Sequence, residues 1–116
     1  MADSEITTAV PEEGDAELLR LGKRHLNLLR RYEARDFGED TRANDRFMGR
    51  LMKLENQIAA IPATTLAGLT VRLWVLWNWE ATEPGVLFTG PTPEASEKEH
   101  LAWGLIQDAE RVAART

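Results

Sequence analysis

Two stretches of the chain place large side chains at alternating intervals of three and four residues, the spacing that brings them onto one face of an α-helix. The first repeat falls within residues 15–34 and the second within residues 41–61. The repeats consist of Leu18, Leu21, His25, Leu28 and Tyr32, and of Phe47, Leu51, Leu54, Ile58 and Ile61. Because a short segment connects them, they predict two helices that fold back as an antiparallel hairpin.

Residues that cap or interrupt helices predict where four helices begin and end. Pro62 ends the second helix, because proline lacks a backbone N–H and disfavours helical geometry in the residue before it. A third helix begins at Leu66, and a fourth follows Ser96, with Glu99 at the spacing of a capping box. The predicted N-caps are Asp15 for the first helix, Asp40 or Thr41 for the second, Thr64 or Thr65 for the third and Ser96 for the fourth.

The third helix is apolar almost all round, which is typical of a helix at the centre of a domain. Residues 81–96, which follow it, contain three prolines and two glycines and are predicted to form a loop. We expect the apolar residues 86–88 to hold this loop against the core. The predicted core faces are Leu66, Leu69, Leu73 and Trp77 in the third helix, and Leu101, Leu105, Ala109 and Val112 in the fourth.

These elements predict an all-α fold of about four helices, in which the antiparallel hairpin packs on a buried third helix and a C-terminal helix. Residues 15–116 are predicted to form this single domain, since a chain of 116 residues suits one hydrophobic core. Residues 1–14 carry four acidic and no basic side chains and few large apolar ones. They are predicted to be a flexible acidic tail.

The sequence also excludes several classes of protein. It contains no cysteine, which rules out a disulfide framework, a thiol nucleophile and cysteine-ligated metal sites. Its first residues lack the basic and apolar regions of a secretory signal. The longest apolar-rich run, residues 67–79, is too short to cross a bilayer and contains Arg72. We therefore expect a cytoplasmic protein without a membrane anchor.

The four tryptophans could fill a core or form a binding surface. Trp74, Trp77 and Trp79 fall within six residues of the third helix, and Trp103 lies in the fourth. A tryptophan buries about 200 Å², so core packing is the expected role for most of them. Trp79, Trp103 and Phe88 are predicted to form a surface for a protein partner, because tryptophan is enriched at interface hot spots. An enclosed ligand pocket is the alternative.

Few residues of the sequence carry reactive chemistry. Glu97 and His100 have the Glu-x-x-His spacing of di-iron bundles, but those sites need a second such pair, which the sequence lacks. His25 lies among leucines, where a buried histidine bonded to Tyr32 or to the backbone is the expected role. No phosphate-binding loop, nucleophile elbow or dinucleotide fingerprint occurs. We therefore expect no enzymatic activity, metal, cofactor or small-molecule substrate.

Basic residues line one side of the first helix and suggest an anionic partner, either an acidic protein or a nucleic acid. The alternative is an ordinary solvated face. The net charge of −5 argues against general nucleic-acid binding, which depends on accumulated positive charge. The row consists of Arg20, Arg24, Arg31 and Arg35, with Lys23 and Arg30 nearby.

The segment IPATTLAGLTVRL, together with the upstream LLRLGKRHLNLL, resembles a family of small bacterial proteins that often occur near prophage genes. The matching residues are Pro62, Ala63, Thr64, Thr65, Gly68, Leu69, Arg72 and Leu73. The likeness spans about residues 16–77 and implies a helical fold and a phage or mobile-element origin. It implies no activity, so no functional residues are carried over from it.

From these observations we expect a non-catalytic interaction or accessory protein that binds a protein partner or itself. Its candidate partner surface comprises Trp79, Phe88 and Trp103 with Arg20, Arg24 and Arg31. The alternative is a nucleic-acid-associated regulator that uses the arginine row of the first helix.

Overall fold

The computed structural model describes the backbone of residues 3–34 and 40–115 and the side chains of residues 15–34 and 40–115. Within these residues it contains helices and turns but no strand, so the predicted all-α fold is confirmed. The predicted connection at residues 35–39 lies outside the described residues. The helices are α1 (Asp3–Ala34), α2 (Thr41–Ala59), α3 (Leu66–Glu80) and α4 (Glu97–Ala114).

Three of the four helices begin at a residue that the sequence predicts as a cap. The side chains of Asp40, Thr65 and Ser96 each accept a hydrogen bond from the backbone N–H three residues further on. Glu99 completes the predicted capping box at the start of α4 by accepting from the Ser96 backbone. Local capping therefore determines where α2, α3 and α4 start.

The predicted N-cap of α1 is wrong, because α1 begins at Asp3 and includes Asp15. The buried Asp15 carboxylate serves another helix instead: its Oδ1 accepts a hydrogen bond from the Thr64 backbone N–H at 3.0 Å, just before α3. Residue type alone cannot distinguish a local cap from one supplied across the fold. The mobility of residues 1–14 stays a prediction.

The contacts between α1 and α2 run in opposite directions along the two helices. The Tyr32 and Phe47 rings stack with centroids 6.3 Å apart, and His25 Nε2 lies 2.9 Å from Glu55 Oε2. Further along, one apolar cluster combines Leu18 and Leu21 of α1 with Leu54 and Ile58 of α2. The order of these pairs is that of an antiparallel hairpin.

Helix α3 occupies the centre, since it packs against each of the other three helices. Its contact with α1 requires a glycine: a Cβ atom added to Gly22 would lie 2.5 Å from Cγ2 of Val71. The larger core cluster joins all four helices and the loop that follows α3. It contains Leu29, Phe47, Leu51, Trp74, Trp77, Val86, Leu87, Ala102 and Ile106.

The predicted core face of α4 is wrong except at Ala109, and that of α3 is wrong at Leu69, whereas Trp77 is buried as predicted. Helix α4 buries Ala102, Ile106 and Ala109, whereas the predicted Leu101, Leu105 and Val112 are 64%, 39% and 44% exposed. In α3 the predicted Leu69 is 43% exposed, while Trp77, Trp74 and Val75 are buried. Since the large indoles of α3 fill the space between the helices, α4 presents small alanines to them and turns its leucines outwards.

The loop after α3 is held against the core, as predicted, and it consists largely of turns. Val86 and Leu87 are buried, and the Trp77 indole N–H donates to the Leu87 carbonyl oxygen at 3.0 Å. Gly90 has a φ of +96° and lies so close to Trp103 that an added Cβ would be 2.6 Å from the indole nitrogen. The loop thereby closes one end of the core.

Candidate interaction surface

The exposed apolar side chains of the described residues concentrate on two helices. Six of the eight large apolar residues that are exposed belong to α3 or α4, with exposures of 39% to 64%. The other two, Leu19 and Met52, lie on α1 and α2. We call one group the α3–α4 apolar face: Leu69, Leu76, Leu101, Leu105 and Val112.

The two helices run antiparallel, which aligns their exposed leucines. The Trp74 indole N–H donates to Glu110 at 3.2 Å, and the Thr82 backbone N–H donates to Glu99 at 3.3 Å. At 3.6 residues per turn, Leu76 lies about 160° around α3 from Trp74. Leu101, Leu105 and Val112 lie at similar angles from Glu110 around α4. The exposed apolar residues of each helix therefore lie on the side opposite its Trp74 or Glu110 side chain.

Trp79 lies at the edge of this face, in a groove between α2 and α3. The groove has a volume of about 240 Å³ and shares Leu76 with the apolar face. The Trp79 side chain is 53% exposed, and its indole N–H donates to Glu55 Oε1 at 3.0 Å. That hydrogen bond fixes the orientation of the exposed ring. The groove is lined by Ile58, Ala59, Arg72, Leu73, Val75, Leu76 and Trp79.

Beneath Trp79, a buried polar cluster joins α1, α2 and α3. Its centre is the buried carboxylate of Glu55 on α2. Besides Trp79, this carboxylate accepts a hydrogen bond from Asn78 Nδ2 at 2.6 Å and lies 2.9 Å from Nε2 of His25. An ionised carboxylate only accepts hydrogen bonds, so a donor role for the His25 nitrogen fits this arrangement. We call His25, Glu55, Asn78 and Trp79 the Glu55 cluster.

A histidine beside a carboxylate is a common arrangement for general base catalysis, but a base must reach the proton that it removes. His25 is 0% and Glu55 2% exposed, so no substrate reaches the pair. The Nδ1 atom of His25 has no hydrogen-bond partner among the described residues. His25 is thus buried and hydrogen-bonded, as predicted, although its partner is Glu55 and not Tyr32 or the backbone.

The structure separates Trp79 from the other two predicted aromatic surface residues, Phe88 and Trp103. The half-buried Trp103 packs on Trp77 and Trp74, with ring centroids 5.4 and 6.1 Å apart. Phe88 packs on Trp74 at 5.5 Å. These rings extend the core on the Trp74 side of the α3–α4 pair, whereas Trp79 lies in the groove beside α2. Of the three predicted aromatic residues, only Trp79 adjoins the apolar face.

The predicted arginines also divide between different surroundings. Arg24 and Arg31 line a groove between α1 and α2. Arg20 is exposed and pairs with Glu17 on its own helix. Arg30 lies over the Phe88 ring, 5.3 Å from its centroid. Arg35 lies outside the described residues.

The pKa of Asp15 is lowered from its ordinary value of 3.8, chiefly by a hydrogen bond from the Thr65 side chain. The Thr64 hydrogen bonds lower it as well, while burial raises it. A lowered pKa in the folded state means that the ionised carboxylate stabilises the fold. This contribution is fully present above pH 3.8, the ordinary pKa, and is lost as the pH falls through the lower folded-state pKa.

We predict that Asp15→Asn lowers the free energy of unfolding at pH 7 by up to about 1 kcal/mol, because the amide oxygen can still accept from Thr64 but the negative charge beside the N-terminus of α3 is lost. The difference from the unsubstituted protein should shrink as the pH is lowered below 3.8. Urea denaturation between pH 7 and pH 3 measures it. Asp45→Asn on the exposed surface of α2 is the matched control, and a pH-independent difference at Asp15 would contradict this assignment.

Among the described residues, no three histidine, aspartate or glutamate side chains come together as a metal site requires, and no helix has the length and apolarity to cross a membrane.

Comparison of the chain with protein-family models, curated proteins and solved structures finds no match.

Proposed function

We propose that this chain is a non-catalytic interaction or accessory protein that binds a protein partner, or a second copy of itself, through the α3–α4 apolar face. The observation that carries this proposal is the concentration of exposed leucines on that face. Soluble monomers rarely expose large contiguous apolar patches, and those that they do expose commonly bind other proteins. The phage or mobile-element origin stays an expectation from the resemblance.

Covering this face would contribute several kcal/mol to association. Burying the exposed part of a half-exposed leucine yields about 1 kcal/mol, at roughly 25 cal/mol per Å². Five such residues and Trp79 together supply several kcal/mol, against which stands the loss of translational and rotational freedom. Leu69, Leu76, Leu101, Leu105 and Val112 are therefore the residues whose burial would favour a complex.

Trp79 supports the proposal as an anchor residue. Its ring is more than half exposed, yet the hydrogen bond to Glu55 already fixes its position. A side chain that is held in place before binding loses little conformational entropy in a complex. Tryptophan is also among the residues that contribute most to interface energies. The Glu55 cluster is then a support for this ring, which agrees with a non-catalytic role.

Light scattering after size-exclusion chromatography, together with affinity purification from source cells, tests the proposal. We expect a dimer or a captured partner with the unsubstituted protein. The double variant Leu76→Glu, Leu105→Glu should abolish the dimer or the binding of the partner, because it places charges in the centre of the face. The matched control is Leu19→Glu, Met52→Glu, which alters exposed apolar residues elsewhere and should retain binding. A monomer without partners, or equal losses in both variants, would contradict the proposal.

A further inference from the structure

We propose that the groove between α1 and α2 binds the phosphate backbone of a nucleic acid. This site goes beyond the proposed protein interaction and uses different helices. The groove has a volume of about 570 Å³. An adjoining hollow extends its basic wall along α2 to Arg46. We call the charged residues of the groove, Arg24 and Arg31 of α1 with Arg50 and Lys53 of α2, the basic groove.

The charges of the basic groove are not paired with any carboxylate of the described residues. The ion pairs among the described residues are Arg20–Glu17, His25–Glu55 and Arg111–Asp108, and none of them includes a residue of the groove. The Arg31 guanidinium lies 5.9 Å from the centroid of the Phe47 ring, which holds it without neutralising it. Four positive charges therefore line the groove, and no carboxylate of the described residues forms an ion pair with them.

The fold explains why charge counting along the sequence does not reveal this site. Residues 36–79 carry five acidic and five basic side chains, so the segment that contains α2 is neutral overall. However, the Glu55 carboxylate is buried and binds donors from α1 and α3. The basic side chains of α2 consequently keep their charge on the groove side, although the whole protein is acidic.

The geometry favours a linear polyanion. At 1.5 Å per residue, Arg24 and Arg31 are about 10 Å apart along α1, and Arg46 and Lys53 are equally far apart along α2. A nucleic-acid strand carries one phosphate per roughly 3.4 Å of duplex axis. A strand bound along the basic groove would therefore place several phosphates between α1 and α2.

Two uncharged residues of the groove distinguish a nucleic acid from other anions. Asn27 and Gln57 line it together with the four basic residues. Their amides can donate to phosphate and sugar oxygens and can both donate to and accept from bases. A membrane surface would require a flat or convex basic face, whereas these charges occupy two facing walls. An acidic peptide is the remaining competitor, and the experiment separates it from a nucleic acid.

Fluorescence anisotropy of labelled 20-nucleotide single-stranded DNA, single-stranded RNA and duplex DNA, titrated with the full chain, tests the proposal. With about four phosphate contacts, the logarithm of the binding constant should fall with the logarithm of salt concentration with a slope of roughly −3 to −4. At least one of these probes should bind with that slope. Binding of none of them would overturn the proposal.

The double variant Arg24→Glu, Arg50→Glu should weaken binding at least tenfold and reduce the salt slope by about 2. The matched control is Lys98→Glu, Arg111→Glu on α4, which changes the net charge equally outside the groove and should bind nearly as tightly as the unsubstituted protein. All four positions are exposed, so circular dichroism should report unchanged helix content. Equal weakening in both variants would overturn the proposal.

Labelled polyglutamate and phosphatidylserine vesicles complete the test. Weak or undetectable binding of both supports a nucleic-acid site. Binding of either one as tightly as the nucleic acid, with the same loss in the groove variant, would replace the proposal with an acidic-peptide or lipid site. The Leu76→Glu, Leu105→Glu variant should still bind the nucleic acid, so failure of the proposed protein interaction remains distinguishable from failure here.

Discussion

Glu55→Ala should lower the free energy of unfolding by about 3–5 kcal/mol, because it leaves the donors on α1 and α3 without their buried acceptor. The carboxylate accepts from Asn78 and Trp79 and lies 2.9 Å from the His25 nitrogen. Alanine also leaves a space in a tightly packed region. Urea denaturation monitored by circular dichroism measures the loss.

Glu17→Ala is the matched control for Glu55, since its carboxylate is exposed and pairs only with the neighbouring Arg20. Surface pairs of this kind contribute about 0–1 kcal/mol, so the control should remain nearly as stable as the unsubstituted protein. A double-mutant cycle with His25→Leu and Glu55→Leu should show a coupling energy above about 1 kcal/mol. A Glu55 variant no less stable than the Glu17 variant would show that the cluster does not stabilise the fold.

Trp77→Ala should lower the free energy of unfolding by about 3–5 kcal/mol, as for other fully buried aromatic residues. The side chain is 0% exposed and lies in the core cluster that connects all four helices. Its indole N–H also holds the loop through the Leu87 carbonyl oxygen. The substitution therefore removes a large part of the core and an anchor of the loop. Thermal and urea denaturation measure the effect.

Leu101→Ala provides the comparison, because Leu101 is 64% exposed although the sequence pattern predicts it to be buried. A substitution at such a surface position should change the stability by less than about 0.5 kcal/mol. Trp77→Phe should retain more stability than Trp77→Ala, since it restores much of the lost volume. Comparable losses at Trp77 and Leu101 would mean that α4 packs through its predicted leucine face.

Features encoded by neighbouring residues were predictable from the sequence. The caps at Asp40, Thr65 and Ser96 depend on hydrogen bonds over three residues, and the structure contains all of them. The long apolar repeats of α1 and α2 also predicted the hairpin, since a regular repeat permits one buried face per helix.

Features that depend on packing between distant segments could not be predicted in this way. Helix α4 carries two overlapping repeats, and one of them, with Ala102, Ile106 and Ala109, is buried although leucines are more apolar than alanines. The choice depends on the bulk of Trp74 and Trp77 in the facing helix. A search of the α4 sequence for both repeats would have identified the repeat that is buried. It could not have decided which of the two repeats faces the core.

The same limit applies to the polar residues. Glu55 falls between Leu54 and Ile58 on the apolar side of α2, a position that could have suggested a partner for the buried His25. Residue spacing does not say which helix supplies the other donors, Asn78 and Trp79. The α3–α4 apolar face was likewise hidden in the sequence, because its leucines fit the pattern of a core.

The contacts of Asp15 and Gly22 determine how far α1 can slide along α3. The two residues are seven positions apart, about two helical turns, so they lie on the same side of α1. One meets the backbone before α3, and the other receives the Val71 side chain in a space that admits no Cβ. A shift of α1 by one turn would bring a larger residue against Val71 and remove the carboxylate from Thr64. Together, these two contacts fix the position of α1 along the axis of α3, so that the two helices can pack in only one alignment.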